Sequence, residues 1–192
     1  MELVKTETSF VIVGLQHNPT ILLSDFLMTS NIIDDLDEID SGNSFVTPAI
    51  ADVTLIDKTN INITPERLII KSNIDNSPFE MGLKYSKALP YISYQALGIN
   101  FKYRVSDVGI DKFINLDESK FMNESLKIKF EHEQGACFVT LKQNKSKNHV
   151  EVDFNFDYKV EELVKIGSMH IDVVKEGEKN YKKTKEIINE LF

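Results

Sequence analysis

The sequence predicts an α+β fold, a curved antiparallel sheet with helices packed on one face and a long helix at the C-terminal end. Three stretches carry that expectation. In His149–Val160 the residues Val150, Val152, Phe154, Phe156, Tyr158 and Val160 alternate with Glu151, Asp153, Asn155, Asp157 and Lys159. Successive strand side chains point to opposite faces, so this segment has one face for a core and one for water. In Tyr91–Val105 the second half alternates in the same way, with Ile99, Phe101, Tyr103 and Val105 against Asn100, Lys102 and Arg104. In Ser168–Leu191 the period changes: Ile171, Val174, Tyr181, Thr184, Ile188 and Leu191 recur at helical spacing.

Taken in order, Ser9–Leu15 is a short β-branched run suited to a buried strand. His17-Asn18-Pro19 ends it, because proline lacks an amide hydrogen and biases its predecessor away from helix. Leu22, Leu23, Phe26, Leu27 and Ile32 within Ile21–Ile33 predict a short helix, with Ser24 as its N-cap. Asp34–Asn43 is an acidic loop. Asp52–Asp57 and Arg67–Lys71 read as strands joined by a turn around Asn62-Ile63-Thr64-Pro65. Ser77-Pro78-Phe79-Glu80 combines a capping box with proline at the first helical position, opening a helix that runs to about Ala88 and is stopped by Pro90.

The first half of Tyr91–Val105 is apolar on both sides, and Gly98 marks a bulge or a close backbone approach. A short helix is expected near Asp111–Leu116. Ser125–Glu133, Ala136–Gln143 and His149–Val160 form a meander, turning at Gln134-Gly135 and Asn144-Lys145-Ser146-Lys147. Gly177 interrupts the final helix, so one helix and two remain alternatives. The elements fit a single domain over 1–192. Within it, two similar halves, about 8–90 and 91–192, each read strand, short helix, antiparallel strands, helix.

A chain of 192 residues can bury a substantial core, and its 42% apolar and 27% charged residues are those of a globular protein. The N-terminal stretch lacks the pattern of a signal peptide and no apolar run reaches the length of a membrane span, so a cytoplasmic location is expected. Cys137, the sole cysteine, permits no intrachain disulfide. Residues 1–60 hold two cations (Lys5, Lys58) against ten carboxylates and account for the whole net charge of −8. That excess disfavours binding to phosphate backbones, permits attraction to a basic partner, and most simply supports solubility.

Candidate chemistry is sparse. Glu151, Asp153, Asn155 and Asp157 share a strand face and superficially resemble paired acids of β-sandwich glycosidases, but polar-out alternation is what any one-sided sheet needs. Asp34, Asp35, Asp37, Glu38 and Asp40 fail the calcium-loop pattern, since counting from Asp35 puts Ile39 at position five and Asp40 where glycine is required. They are read as a solvated loop or as an interaction loop for a basic partner. His17, His132, His149 and His170 show no metal-ligand spacing, and Cys137 reads as a buried thiol. No glycine-rich phosphate loop, nucleophile elbow or redox CxxC motif occurs. Tyr91, Tyr94, Phe101, Tyr103, Phe154, Phe156 and Tyr158 could stack bases beside Lys102 and Arg104. Alternation separates the aromatics from the cations, however, and favours core packing.

Asn18-Pro19, Leu89-Pro90 followed by Gly98, Asn100 and Phe101, and Asn155-Phe156 occur in an order that resembles a family of uncharacterised bacterial proteins. That resemblance implies a bacterial or phage accessory protein and transfers no site. The expected function is a non-catalytic protein-interaction or assembly domain that requires no cofactor and no metal. It would bind another protein or itself rather than nucleic acid or membrane. An enzyme or small-ligand binder with a pocket between sheet and helices is the alternative. A third reading is an acidic decoy of a nucleic-acid-binding protein.

Overall fold

The computed structural model describes residues 1–74, 77–108, 125–132, 135–144, 148–159 and 173–192. Among these, nine strands form one open antiparallel sheet. The strands are β1 (Glu2–Leu15), β2 (Phe45–Val46), β3 (Ala51–Thr54), β4 (Asn60–Thr64), β5 (Arg67–Ser72), β6 (Ser93–Ser106), β7 (Ser125–His132), β8 (Gly135–Asn144) and β9 (His149–Lys159). Their spatial order is β2-β3-β4-β5-β1-β6-β9-β8-β7, so the two longest strands, β1 and β6, pair at the centre. The helices are α1 (Ser24–Thr29), α2 (Ser77–Ala88) and α3 (Val173–Leu191).

The period-2 pattern decides which side of each strand is dry. Phe10 and Ile12 lie beside Ile70 and Leu68 on one flank and Ile99 and Leu97 on the other. Phe101, Phe154 and Val139 continue the same row outward, and all of these side chains are buried. The alternate residues Asn100, Asn155 and Glu151 are exposed or half-buried. Phe79 of α2 sets its ring edge-on to Phe10 and Phe101, at centroid separations of 6.3 and 6.0 Å. Gly82, one turn further on, lies so close to Phe10 that a methyl group there would overlap its ring.

Helix α3 meets the same aromatic floor through hydroxyl groups. Thr184 Oγ1 donates to the Tyr181 carbonyl (2.8 Å), which leaves the Tyr103 hydroxyl to donate to Thr184 Oγ1 (2.6 Å). Asn180 Nδ2 donates to the Tyr158 hydroxyl (2.7 Å), which in turn donates to Glu176 Oε2 (3.2 Å). Burial pushes both tyrosines' pKa values up, so the hydroxyls stay protonated. The helix is continuous through Gly177, whose missing side chain makes room for the Phe79 ring.

Several sequence expectations are corrected. The turn placed at Asn62–Pro65 is instead the end of β4, and Thr64 pairs directly with Arg67 across Pro65-Glu66. Asn60-Ile61-Asn62-Ile63 is period-2, with Ile61 and Ile63 buried and the asparagine amides donating to Asp52 (2.6 and 2.8 Å). The first strand starts at Glu2 rather than Ser9, because pairing with β6 carries its polar N-terminal half. Helix α1 is only Ser24–Thr29, and Ser24 lies inside it rather than capping it. Ser77 is likewise the first helical residue of α2, its hydroxyl against Met81 Sδ at 3.9 Å. Tyr91, expected among the strand aromatics, is 98% exposed. The expected helix near Asp111–Leu116 and the turn at Lys145–Lys147 lie outside the described residues.

Candidate functional site

The acidic loop folds as two successive 3-10 turns, Leu36–Glu38 and Ser41–Asn43, beside the end of β3. Asp35-x-x-Glu38 is a capping box: Glu38 Oε1 accepts from the amides of Asp34 and Asp35 (both 2.8 Å), and Asp35 Oδ1 accepts from Asp37 N (3.1 Å). Asp40 Oδ2 takes the Asn43 amide (3.0 Å) and faces Lys58 Nζ (3.5 Å), and these contacts hold its carboxyl below the usual range. The loop is tied to the sheet by an Ile39–Leu55 bridge and by Ile56 N donating to the Glu38 carbonyl (2.8 Å).

That tie builds a cleft of about 390 Å³. Leu55 and Ile56 form its apolar lining, and Asp35, Asp37, Glu38 and Asp57 its acidic lip. Ile56 is 62% exposed and Leu36 is 52% exposed, while Phe45 of the edge strand β2 is also more than half exposed. Of the five acids named from sequence, Asp35, Asp37 and Glu38 line this cleft, whereas Asp34 and Asp40 do not. Reading the sequence alone missed the exposed apolar residues beside them, although Leu36 interrupts the acidic run.

The other candidates disperse. Glu151, Asp153 and Asp157 face outward on β9; Asp153 pairs with Lys142 (3.4 Å), and Glu151 lies 3.6 Å from His149 Nε2. Lys102 bonds Glu7 across the strands (2.9 Å), which raises its pKa. His17 is buried against α2, with Nδ1 2.9 Å from the Tyr85 hydroxyl and its ring stacked on Tyr85; burial lowers its pKa to about 4. Cys137 is buried beside Phe156 across the β8–β9 pair, and its thiol is pushed up to about 12 by desolvation. His170 and the His132 side chain lie outside the described residues. No group of three or more histidine, cysteine or acidic side chains converges as a metal site among the described residues. A larger hollow of about 600 Å³ runs along α3 over Phe156, walled by Lys175, Lys179 and Lys183 with Glu176 and Glu186.

No helix among the described residues is long and apolar enough to cross a membrane. A scan against protein-family models matched none, and a search of curated proteins returned no match.

Proposed function

We propose that this chain is a non-catalytic interaction protein that binds a basic, partly apolar segment of another protein in the acidic cleft beside β3. Helices roofing the apolar face would leave the molecule's edges for recognition. One observation carries the reading: large apolar side chains stand exposed beside carboxylates, with Ile56 in the cleft lined by Asp35, Asp37, Glu38 and Asp57, and Leu36 between Asp35 and Asp37 in the chain. A purely solvated loop would not need them, and exposed apolar area rimmed by polar groups marks interaction sites. The carboxylates steer a cationic partner and fix its register, and the apolar lining supplies contact area.

Titration of the full chain with a fluorescent peptide of mixed lysine and leucine residues tests this reading. Saturable binding should weaken about tenfold in Ile56→Ser or Asp37→Lys. It should not change in Glu190→Lys, an acid on the exposed end of α3. Equal weakening by all three variants, or no binding to folded protein, would reject the cleft.

A further inference from the structure

The strand order mirrors itself about the central pair. In the first half β3-β4-β5 returns to lie beside β1; in the second β7-β8-β9 returns to lie beside β6. Ser9 faces Asn100 at the midpoint, where Phe10 meets Ile99 on one side and Phe101 meets Thr8 on the other. A two-fold rotation through that point carries Phe10 onto Phe101. Following the registers outward, it carries Ile70 onto Phe154, Ile61 onto Val139 and Val53 onto Ile128. Strand β7 is thus the counterpart of β3.

The two counterparts differ in what covers them. The far side of β3 pairs with β2, and the 3-10 segment bridges to Leu55, so Ala51 and Val53 are buried. Among the described residues no strand pairs with the far side of β7, and its inward row Leu126, Ile128 and Phe130 is only partly buried, with Leu126 and Phe130 packed against the core. Its outward row holds Lys127, Lys129 and Glu131, all exposed, and neither lysine makes an ion pair among the described residues. Lys127 instead lies over the Phe138 ring at 4.8 Å.

We propose that β7 is a docking edge, which takes an extended segment of a partner protein as a tenth strand. That segment alternates apolar residues, continuing the row Leu126, Ile128 and Phe130, with acidic residues set across from Lys127 and Lys129. Strand addition satisfies edge backbone groups that pair with no strand among the described residues, while alternate side chains provide selectivity. A second copy of β7 is the competing occupant. Antiparallel self-pairing centred on Ile128 sets Lys127 against Lys129 twice, and like charges directly opposite destabilise a pair; centred on Phe130 it sets Lys129 against Glu131, whereas an acidic partner strand faces both lysines in a single register. This edge lies at the far end of the sheet from the acidic cleft and selects the opposite charge, so the two readings stand or fall separately.

The test is fluorescence anisotropy on the full chain with a capped peptide of alternating valine and glutamate. A second peptide carries backbone N-methyl groups at alternate residues, which keeps the side chains but blocks strand pairing. The expected result is saturable binding of the first peptide only, weakened about tenfold in K127E/K129E, with new amide-exchange protection over 125–132. Binding should be indifferent to Ile56→Ser. Failure to bind folded protein, or equal binding of the N-methylated peptide, would overturn the proposal. So would concentration-dependent protection of 125–132 without peptide, which would assign the edge to a second copy.

Discussion

Replacing Gly177 by alanine should destabilise the protein, although helix propensity alone predicts the reverse. Alanine is favoured over glycine inside a helix by ~1 kcal/mol. A Cβ built on Gly177, however, stands 2.6 Å from Phe79 Cδ2 and Cε2. Ordinary carbon contacts lie near ~3.5–4.0 Å, so the ring must retreat by about 1 Å. It has little room: Phe79 is 1% exposed, with Phe10 and Phe101 edge-on to it. Overpacking of this kind costs ~1–3 kcal/mol. The net expectation is a loss of up to about 2 kcal/mol, or a few degrees in Tm. Urea denaturation followed by circular dichroism measures it. In a Phe79→Leu background the cost of Gly177→Ala should fall by about 1 kcal/mol, because the space is already open. An increase in stability for Gly177→Ala alone would refute the close packing of α3 on α2.

Three further outcomes follow from buried groups. His17 has a folded pKa of about 4 against an ordinary 6.5, so the folded state favours the neutral ring. Its contribution is complete above about pH 6.5 and is lost as pH falls towards 4. The order-of-magnitude ceiling is about 3 kcal/mol. Urea midpoints between pH 7 and 4.5 should fall less steeply in His17→Phe/Tyr85→Phe, which removes the imidazole and its hydrogen-bond partner together. Tyr158→Phe should cost more than Tyr103→Phe, ~2 against ~1 kcal/mol, because it strands the buried Asn180 amide. Equal losses in thermal unfolding would contradict that ordering. Cys137 should resist a thiol reagent until the protein unfolds, since it is 2% exposed and its thiolate is disfavoured. Rapid labelling in native buffer would place it elsewhere.

What could be read from the sequence follows the strength of the period. His149–Val160 alternates without a miss, and β9 pairs along its length with both β6 and β8. Where alternation used asparagine as its polar residue, as in Asn60–Thr64, composition argued for a turn and hid a strand. Residues 2–8 carry Lys5 and Glu7 and lack the β-branched run that marked Ser9–Leu15 as a strand. Only the β6 partner, whose Lys102 bonds Glu7, makes a strand of them. The acidic residues of the cleft were legible, but their geometry was not. Asp35-x-x-Glu38 is a capping signature, yet no apolar periodic run follows it, and the turn it caps is three residues long.

The stripe of α3 shows the same limit from another side. Helical spacing pointed to Val174, Tyr181, Thr184 and Ile188 as inward residues; Thr184 and Ile188 are buried, yet Gly177 and Asn180, off that stripe, are more deeply buried than Val174 and Tyr181. An amide and a hydroxyl belong in a core only if something there needs them. The floor beneath α3 supplies that need: Tyr103 and Tyr158 are large apolar rings, each with one polar atom that cannot be left unpaired. Their hydroxyls are placed by strands far away in sequence, at separations of 81 residues for Tyr103–Thr184 and 22 for Tyr158–Asn180. The polarity of the helix is therefore set by the sheet. Replacing Asn180 and Thr184 with leucine would improve the amphipathic pattern on paper, yet it would orphan the buried Tyr103 hydroxyl at about 1–3 kcal/mol and strip the Tyr158 hydroxyl of its donor, leaving that group only its bond to Glu176.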